Sequence, residues 1–153
     1  MSHQRLDYVS ASPDGMKALG GVHAHVAQSG LPSTLIDLVY LRVSQINGCA
    51  YCIDMHSRDL LKAGVSVEKL VLTPVWREGG ALFDTRERAA LTWAETLTRV
   101  ADASVSDDAY HAAIAVFNAH ELTNLSIAIG LMNAYNRIAI GFRATPDAVK
   151  AAG

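Results

Sequence analysis

The sequence predicts an all-α domain of six or seven helices, and three observations carry that assignment. Apolar residues recur at helical spacing along nearly the whole chain, and no stretch alternates cleanly with period two. Gly30, Pro32, Gly48, Gly64 and Pro74 punctuate the periodic runs where helices should stop. The 153 residues contain no internal repeat, low-complexity segment or linker, so a single domain spans 1–153.

Each element has its own local reason. Pro13 and Asp14 open a first helix that runs to about Gln28. Ser33 is expected to cap a second, "TLIDLVYLRVSQI", which Asn47-Gly48 interrupts. A third helix follows from about Cys49 to Ala63, with Gly64 as its terminator. "SVEKLVLTP" reads as a short helix ended by Pro74. "DTRERAALTWAETLTRVAD" is a long amphipathic helix capped by Asp84 or Thr85. Ser106 with Asp107 caps "DDAYHAAIAVFNAH", and a last helix runs from about Glu121 to Phe142. The polar tail over 144–153, after Arg143, is expected to be loose.

Composition narrows the function classes. Half of the residues are hydrophobic and only 18% are charged, which is apolar for so small a domain. The surplus apolar surface points to a subunit interface, hence to a homo-oligomer. A net charge of −2 gives no reason to expect nucleic acid. The start "MSHQRLDYVSASPDG" lacks the apolar core of a signal peptide. "LSIAIGLMNAYNRIAIGF" is interrupted by Asn133, Asn136 and Arg137, so it reads as a buried helix and not a membrane span. The expected location is the cytoplasm, where both thiols are reduced at rest.

Those thiols carry the chemistry. Cys49 and Cys52 are the chain's two cysteines, and His56 follows four residues on. At roughly 100° per residue, the three fall within an arc of about 60° on one helix face. Tyr51 and Asp54 point elsewhere, and Asp54 is spaced to pair with Arg58. Both cysteines sit in the first turn, where free N–H groups and the helix dipole favour a thiolate. A thiolate beside a second thiol can reduce a hydroperoxide: one sulfur is oxidised to a sulfenic acid and the other condenses on it. The dipole favours Cys49 as attacker, whereas His56 favours Cys52. The histidine weighs more, because a base removes the proton outright while the dipole is worth about 1 kcal/mol. Cys52 is therefore read as the nucleophile and Cys49 as the resolving thiol.

Other readings of the pair stay open at this point. Two buried thiols can be plain core residues. A zinc or redox-sensing module would use Cys49, Cys52 and His56, but zinc wants a fourth ligand. His23 and His25 lie two residues apart, splayed across a helix, and make a poor metal pair. A c-type haem would need a histidine where Ile53 stands.

The block "SQINGCAYCIDMH", within "LIDLVYLRVSQINGCAYCIDMHSRDLLKAG", resembles the AhpD-type alkylhydroperoxidases of the carboxymuconolactone decarboxylase-like superfamily. The similarity continues through "LVLTPVWREGGALFDTRERAALTWAETLTRV" and "HELTNLSIAIGLMNAYNRIAIGFR", covering most of residues 6–143. It implies an all-helical AhpD-like fold that assembles as trimers or hexamers. It further implies reduction of organic hydroperoxides with electrons from a lipoyl- or thioredoxin-type dithiol, without metal, flavin or haem. Decarboxylases of that superfamily lack the cysteine pair, and a decarboxylase- or isomerase-like activity with incidental thiols is the rival reading.

The family motif is a glutamate, eleven residues, then CxxCxxxH. Carried over, it makes Cys52 peroxidatic, Cys49 resolving and His56 a base, with Asp37 at the glutamate position. Asp37 is one methylene shorter than glutamate, and Tyr51 stands where the founding members carry a histidine. Helix geometry supports the Asp37 relay: it lies ten residues before the turn at Asn47-Gly48 and His56 eight after it. At about 1.5 Å per residue the two stand at similar height. On its own helix Asp37 shares a side with Tyr40 and Ser44.

The remaining polar residues are read structurally. Asn133, Asn136 and Arg137 form a polar stripe, with Arg137 expected to be buried against Asp84, Glu87 or Glu95. His111 and His120 are expected at a helix surface or cap, His3 in an idle tail, and Trp76 and Trp93 in the core or an interface.

Overall fold

A computed structural model describes residues 4–152, so His3 lies outside the described residues. Nine α-helices and two 3₁₀ segments account for the regular structure there, and none of it is strand. A four-residue helix α1 (Tyr8–Ala11) precedes α2 (Pro13–Ala27), which Pro13 opens. Next come α3 (Ser33–Asn47) and α4 (Ala50–Lys62), then α5 (Val67–Leu72). α6 (Thr85–Thr98), α7 (Asp107–Ile114), α8 (Ala119–Phe142) and α9 (Asp147–Ala152) complete the chain.

α3 is the axis of the fold. Every residue from Leu38 to Ser44 is buried, as befits a helix that packs against α4, α6 and α8 at once. Gly48 ends it in the left-handed region (φ 72°, ψ 35°), a conformation glycine adopts without a Cβ clash. The chain then turns straight into α4, so the two helices lie side by side and the thiols start the second of them.

Several expectations need correction. Seven helices become nine because α1 and α9 are short and carry little periodicity. Ser33 lies inside α3 and makes no capping bond; Pro32 holds that position. Pro74 does not stop the short helix but opens a 3₁₀ segment, Thr73–Glu78, where its missing N–H costs nothing. α7 ends at Ile114, well short of His120, and the new helix starts at Ala119 under an Asn118–Glu121 capping box. The tail is not loose: α9 packs on α4, and the Ala148 N–H donates to Asp54 Oδ2 at 3.0 Å.

Arg137 is exposed and donates to the Asn133 carbonyl and Oδ1. The buried arginine is Arg42, whose Nε donates to Glu95 Oε1 at 2.8 Å. Trp76 and Trp93 are buried as expected. His120 Nε2 lies 3.1 Å from the Ser29 carbonyl, and His111 is exposed. Among the described residues no single helix is long and apolar enough to cross a membrane.

Candidate functional site

The N-terminus of α4 builds the site. Cys49 is its N-cap, and the Cys52 N–H donates to Cys49 Sγ at 3.4 Å. A thiolate at that position receives a hydrogen bond and the helix dipole together. Both cysteines are free, and both are almost wholly buried, at 1% and 2% exposure. The pair shares one proton. The Cys52 thiol donates to Cys49, which lowers Cys49 to about 7 against the opposing effect of burial. The same bond and burial raise Cys52, so the resting proton stays on its sulfur.

One turn on, His56 is 3% exposed, and among the described residues neither ring nitrogen has a hydrogen-bond partner. Asp37 Oδ1 lies 3.6 Å from His56 Nδ1. That pairs the two groups across the α3–α4 hairpin but exceeds a hydrogen bond. The shortfall, about 0.7 Å, is within the roughly 1.5 Å that the extra methylene of a glutamate adds. Asp54 and Arg58 pair on the outer face at 2.9 Å, as their spacing requires.

The structure therefore brings together all four sequence-assigned residues, and it adds others. Tyr40 and Ser44, on the Asp37 side of α3, both reach the site. The Tyr40 ring tilts against His56 with centroids 5.1 Å apart, and its buried hydroxyl has no partner among the described residues. Ser44 Oγ accepts from Asn136 Nδ2 at 3.0 Å and lowers the Cys52 pKa. The Asn136 amide lowers both thiols, so this residue of the polar stripe belongs to the site and not only to a structural network. Asn47 Nδ2 holds Asn136 Oδ1 at 3.0 Å. His23, set aside as half of a poor metal pair, stacks on Tyr40 at 6.1 Å. His25 turns the other way, with Nε2 2.8 Å from Asn124 Oδ1. The polar stripe on an apolar helix was the sequence signal for Asn136, and a shared helix side with Asp37 was the signal for Tyr40 and Ser44; nothing local marked His23.

Cys52 and His56 open on a cavity of about 320 Å³ between α1, α2, α4 and α8. Met16, Met55, Met132 and Ile138 make it apolar; Tyr8, His23 and Tyr135 supply its polar atoms. Such a cavity suits a small, largely apolar substrate with one reactive polar end. Among the described residues no group of three His, Cys, Asp or Glu side chains is placed to hold a metal ion.

Comparison with known proteins bears on the family and the fold. The model of the carboxymuconolactone decarboxylase family matches residues 13–96. The uncharacterized protein YdfG of Bacillus subtilis is 34% identical over 137 residues, 90% of this chain and 92% of its own. The alkyl hydroperoxide reductase AhpD of Methylocella silvestris is 46% identical over 43 residues, 28% of this chain and 24% of that protein. A crystal structure of the Agrobacterium tumefaciens protein ATU0492, of unknown function and suggested to be the antioxidant defence protein AhpD, superposes with a TM-score of 0.90. Identity to it is 39%, covering 94% of this chain and 98% of that one.

Proposed function

The chain belongs to the carboxymuconolactone decarboxylase family, in its AhpD-like, peroxidase-related superfamily, and from that premise we propose that it reduces organic hydroperoxides through a Cys49–Cys52 dithiol–disulfide cycle. The observation that supports this best is the shared cavity of Cys52 and His56, with a second cysteine, stabilised as a thiolate, one turn away.

The two thiols divide the work. Peroxide enters the apolar cavity and meets Cys52. At rest the Cys52 proton is held toward Cys49 and His56 is unpaired among the described residues. Once peroxide is bound, the proton passes to His56 as the sulfur attacks the terminal peroxide oxygen; the O–O bond breaks, and His56 returns that proton to the leaving alkoxide. Asp37 faces the transient imidazolium. Cys52 is now a sulfenic acid, and Cys49, already a thiolate near neutral pH, attacks its sulfur. Hydroxide leaves and the disulfide closes. Peroxide plus the dithiol thus becomes alcohol, water and disulfide. A lipoyl- or thioredoxin-type dithiol restores the pair, with no metal, flavin or haem in the cycle. The same reading makes the protein a cytoplasmic homo-oligomer, a trimer or hexamer.

A single-turnover thiol count tests the proposal. Reduced protein is mixed with equimolar cumene hydroperoxide, free thiols are titrated and linked peptides identified. Loss of two thiols per subunit to a Cys49–Cys52 disulfide is expected. Two intact thiols beside unconsumed peroxide would refute it.

A further inference from the structure

The two sulfurs do not face the same space. Cys52 lines the apolar cavity with His56, whereas Cys49 lines a second cavity of about 330 Å³ between the end of α8 and α9. Only Tyr51 and Ala139 are common to both, so these two side chains form the partition and the cavities flank the cysteine pair. Ile140, Ala144, Pro146 and Val149 make the walls of the second cavity apolar. Its one charged residue is Arg143, held in the left-handed region at φ 55° where α8 stops. Neither Cys52 and His56, which serve peroxide cleavage, nor His23 and Tyr8, which line their cavity, reach this side.

We infer that the reductant reaches the disulfide from this second cavity and attacks Cys49, so that peroxide and electrons enter by separate routes. The inference rests on the dithiol–disulfide reading above. A thiolate displaces a disulfide sulfur from the side opposite the leaving sulfur. Leaving-group strength alone favours expulsion of Cys49, the thiol of lower pKa, so attack on Cys49 rests on access. From the α8–α9 cavity the sulfur within reach is Cys49, and the sulfur behind it is Cys52. The incoming thiolate forms a bond to Cys49 Sγ; the Cys49–Cys52 bond breaks, and its electron pair leaves on Cys52. The second thiol of the reductant, deprotonated, then attacks its own sulfur in the mixed disulfide. It frees Cys49 as a thiolate and departs as a cyclic disulfide. Two electrons pass from reductant to protein, and Cys52 is regenerated on the peroxide side.

Of the two reductant types proposed above, the lipoyl type, a small dithiol on a slender alkyl arm, fits this cavity and the thioredoxin type does not. Cys49 is 1% exposed, out of reach of a thiol fixed on a folded protein's surface. Apolar walls match an alkyl chain, and Arg143 can receive a carbonyl or carboxylate oxygen of the arm.

The test forms the disulfide with diamide, so it does not depend on peroxide chemistry. Oxidised wild-type protein is mixed with 6-mercaptohexanol, acid-quenched, and the adduct mapped by mass spectrometry. An adduct on Cys49 is expected; an adduct on Cys52 overturns the inference. Two variants cross-check it. Val149→Trp, at an exposed site in α9, should slow reduction by dihydrolipoamide roughly tenfold by closing access to the sulfur. Met55→Trp, on the other cavity, should leave that reduction rate unchanged while slowing oxidation by cumene hydroperoxide. Equal reduction rates in wild type and Val149→Trp would overturn the inference. Failure of the peroxidase reading would show separately, as thiols that diamide oxidises and peroxide does not.

Discussion

Asp37 shows how one methylene sets the reach of a relay. Its carboxylate stops 3.6 Å from His56 Nδ1, so lengthening the side chain should close the gap. Asp37→Glu is expected to raise kcat/KM for cumene hydroperoxide several-fold, and Asp37→Ala to lower it by about tenfold, a fraction of what general acid–base groups contribute. Unchanged rates in both would remove Asp37 from the site. The thiols give a pH prediction. Cys49 is lowered to about 7, so its thiolate is present above that pH and disappears as pH falls through it. Ultraviolet thiolate absorbance should show one titration per subunit with a midpoint near 7, while Cys52, raised by the same bond, stays protonated. In Cys52→Ala the donor that lowers Cys49 is gone, and the midpoint should climb toward that of an ordinary thiol. At this scale the sequence was informative wherever partners share a helix: Cys49, Cys52 and His56 follow from helical spacing alone. Helical spacing put Tyr40 on the Asp37 side but not its contact with His56, and it left His23 unmarked, because those contacts cross between helices.

Helix ends decide where these side chains stand. α3 and α4 meet at Gly48, whose left-handed conformation lets Cys49 cap α4 instead of continuing α3. A Cβ at Gly48 would touch nothing within 4 Å, so Gly48→Ala tests backbone strain alone. It should cost about 1 kcal/mol in urea unfolding and raise the Cys49 midpoint as the cap loosens. No loss of stability would mean that the turn does not hold the site. Caps were the readable part of each element: Asp84, Ser106 and Gly64 act as their residue types imply. Ser33 and Pro74 misled because their neighbours outvote them; Pro32 already supplies the turn, and a 3₁₀ segment tolerates proline at its start. α9 was missed because Asp54, ninety-four residues away in sequence, holds its N–H.

Across the whole molecule, Glu95 ties the buried faces together. It is 6% exposed and accepts from Arg42 of α3, Trp76 and Arg77. Burial alone would raise its pKa, but these three donors outweigh that and hold it ionised. Glu95→Ala should therefore strand the Arg42 charge and cost about 3–5 kcal/mol in thermal or urea unfolding; a cost under 1 kcal/mol would mean that Arg42 finds water. The polar stripe on the last long helix anticipated such a buried pair and Glu95 was among its carboxylates, but Arg137 was the wrong arginine. Arg42 sits in a helix buried all round, where periodicity gives no hint of which side a charge faces. The fold class was legible from periodicity, whereas the arrangement of α3 at the centre was not, since that depends on which helices stack. The central claim, that Cys52 attacks peroxide and Cys49 resolves, is tested most directly by trapping the sulfenic acid. Cys49→Ser and Cys52→Ser proteins are each mixed with equimolar cumene hydroperoxide and dimedone, and the adducts mapped. Cys49→Ser should consume one peroxide per subunit and carry dimedone on Cys52, while Cys52→Ser leaves the peroxide intact. Peroxide consumed by Cys52→Ser, with dimedone on Cys49, would reverse the two roles.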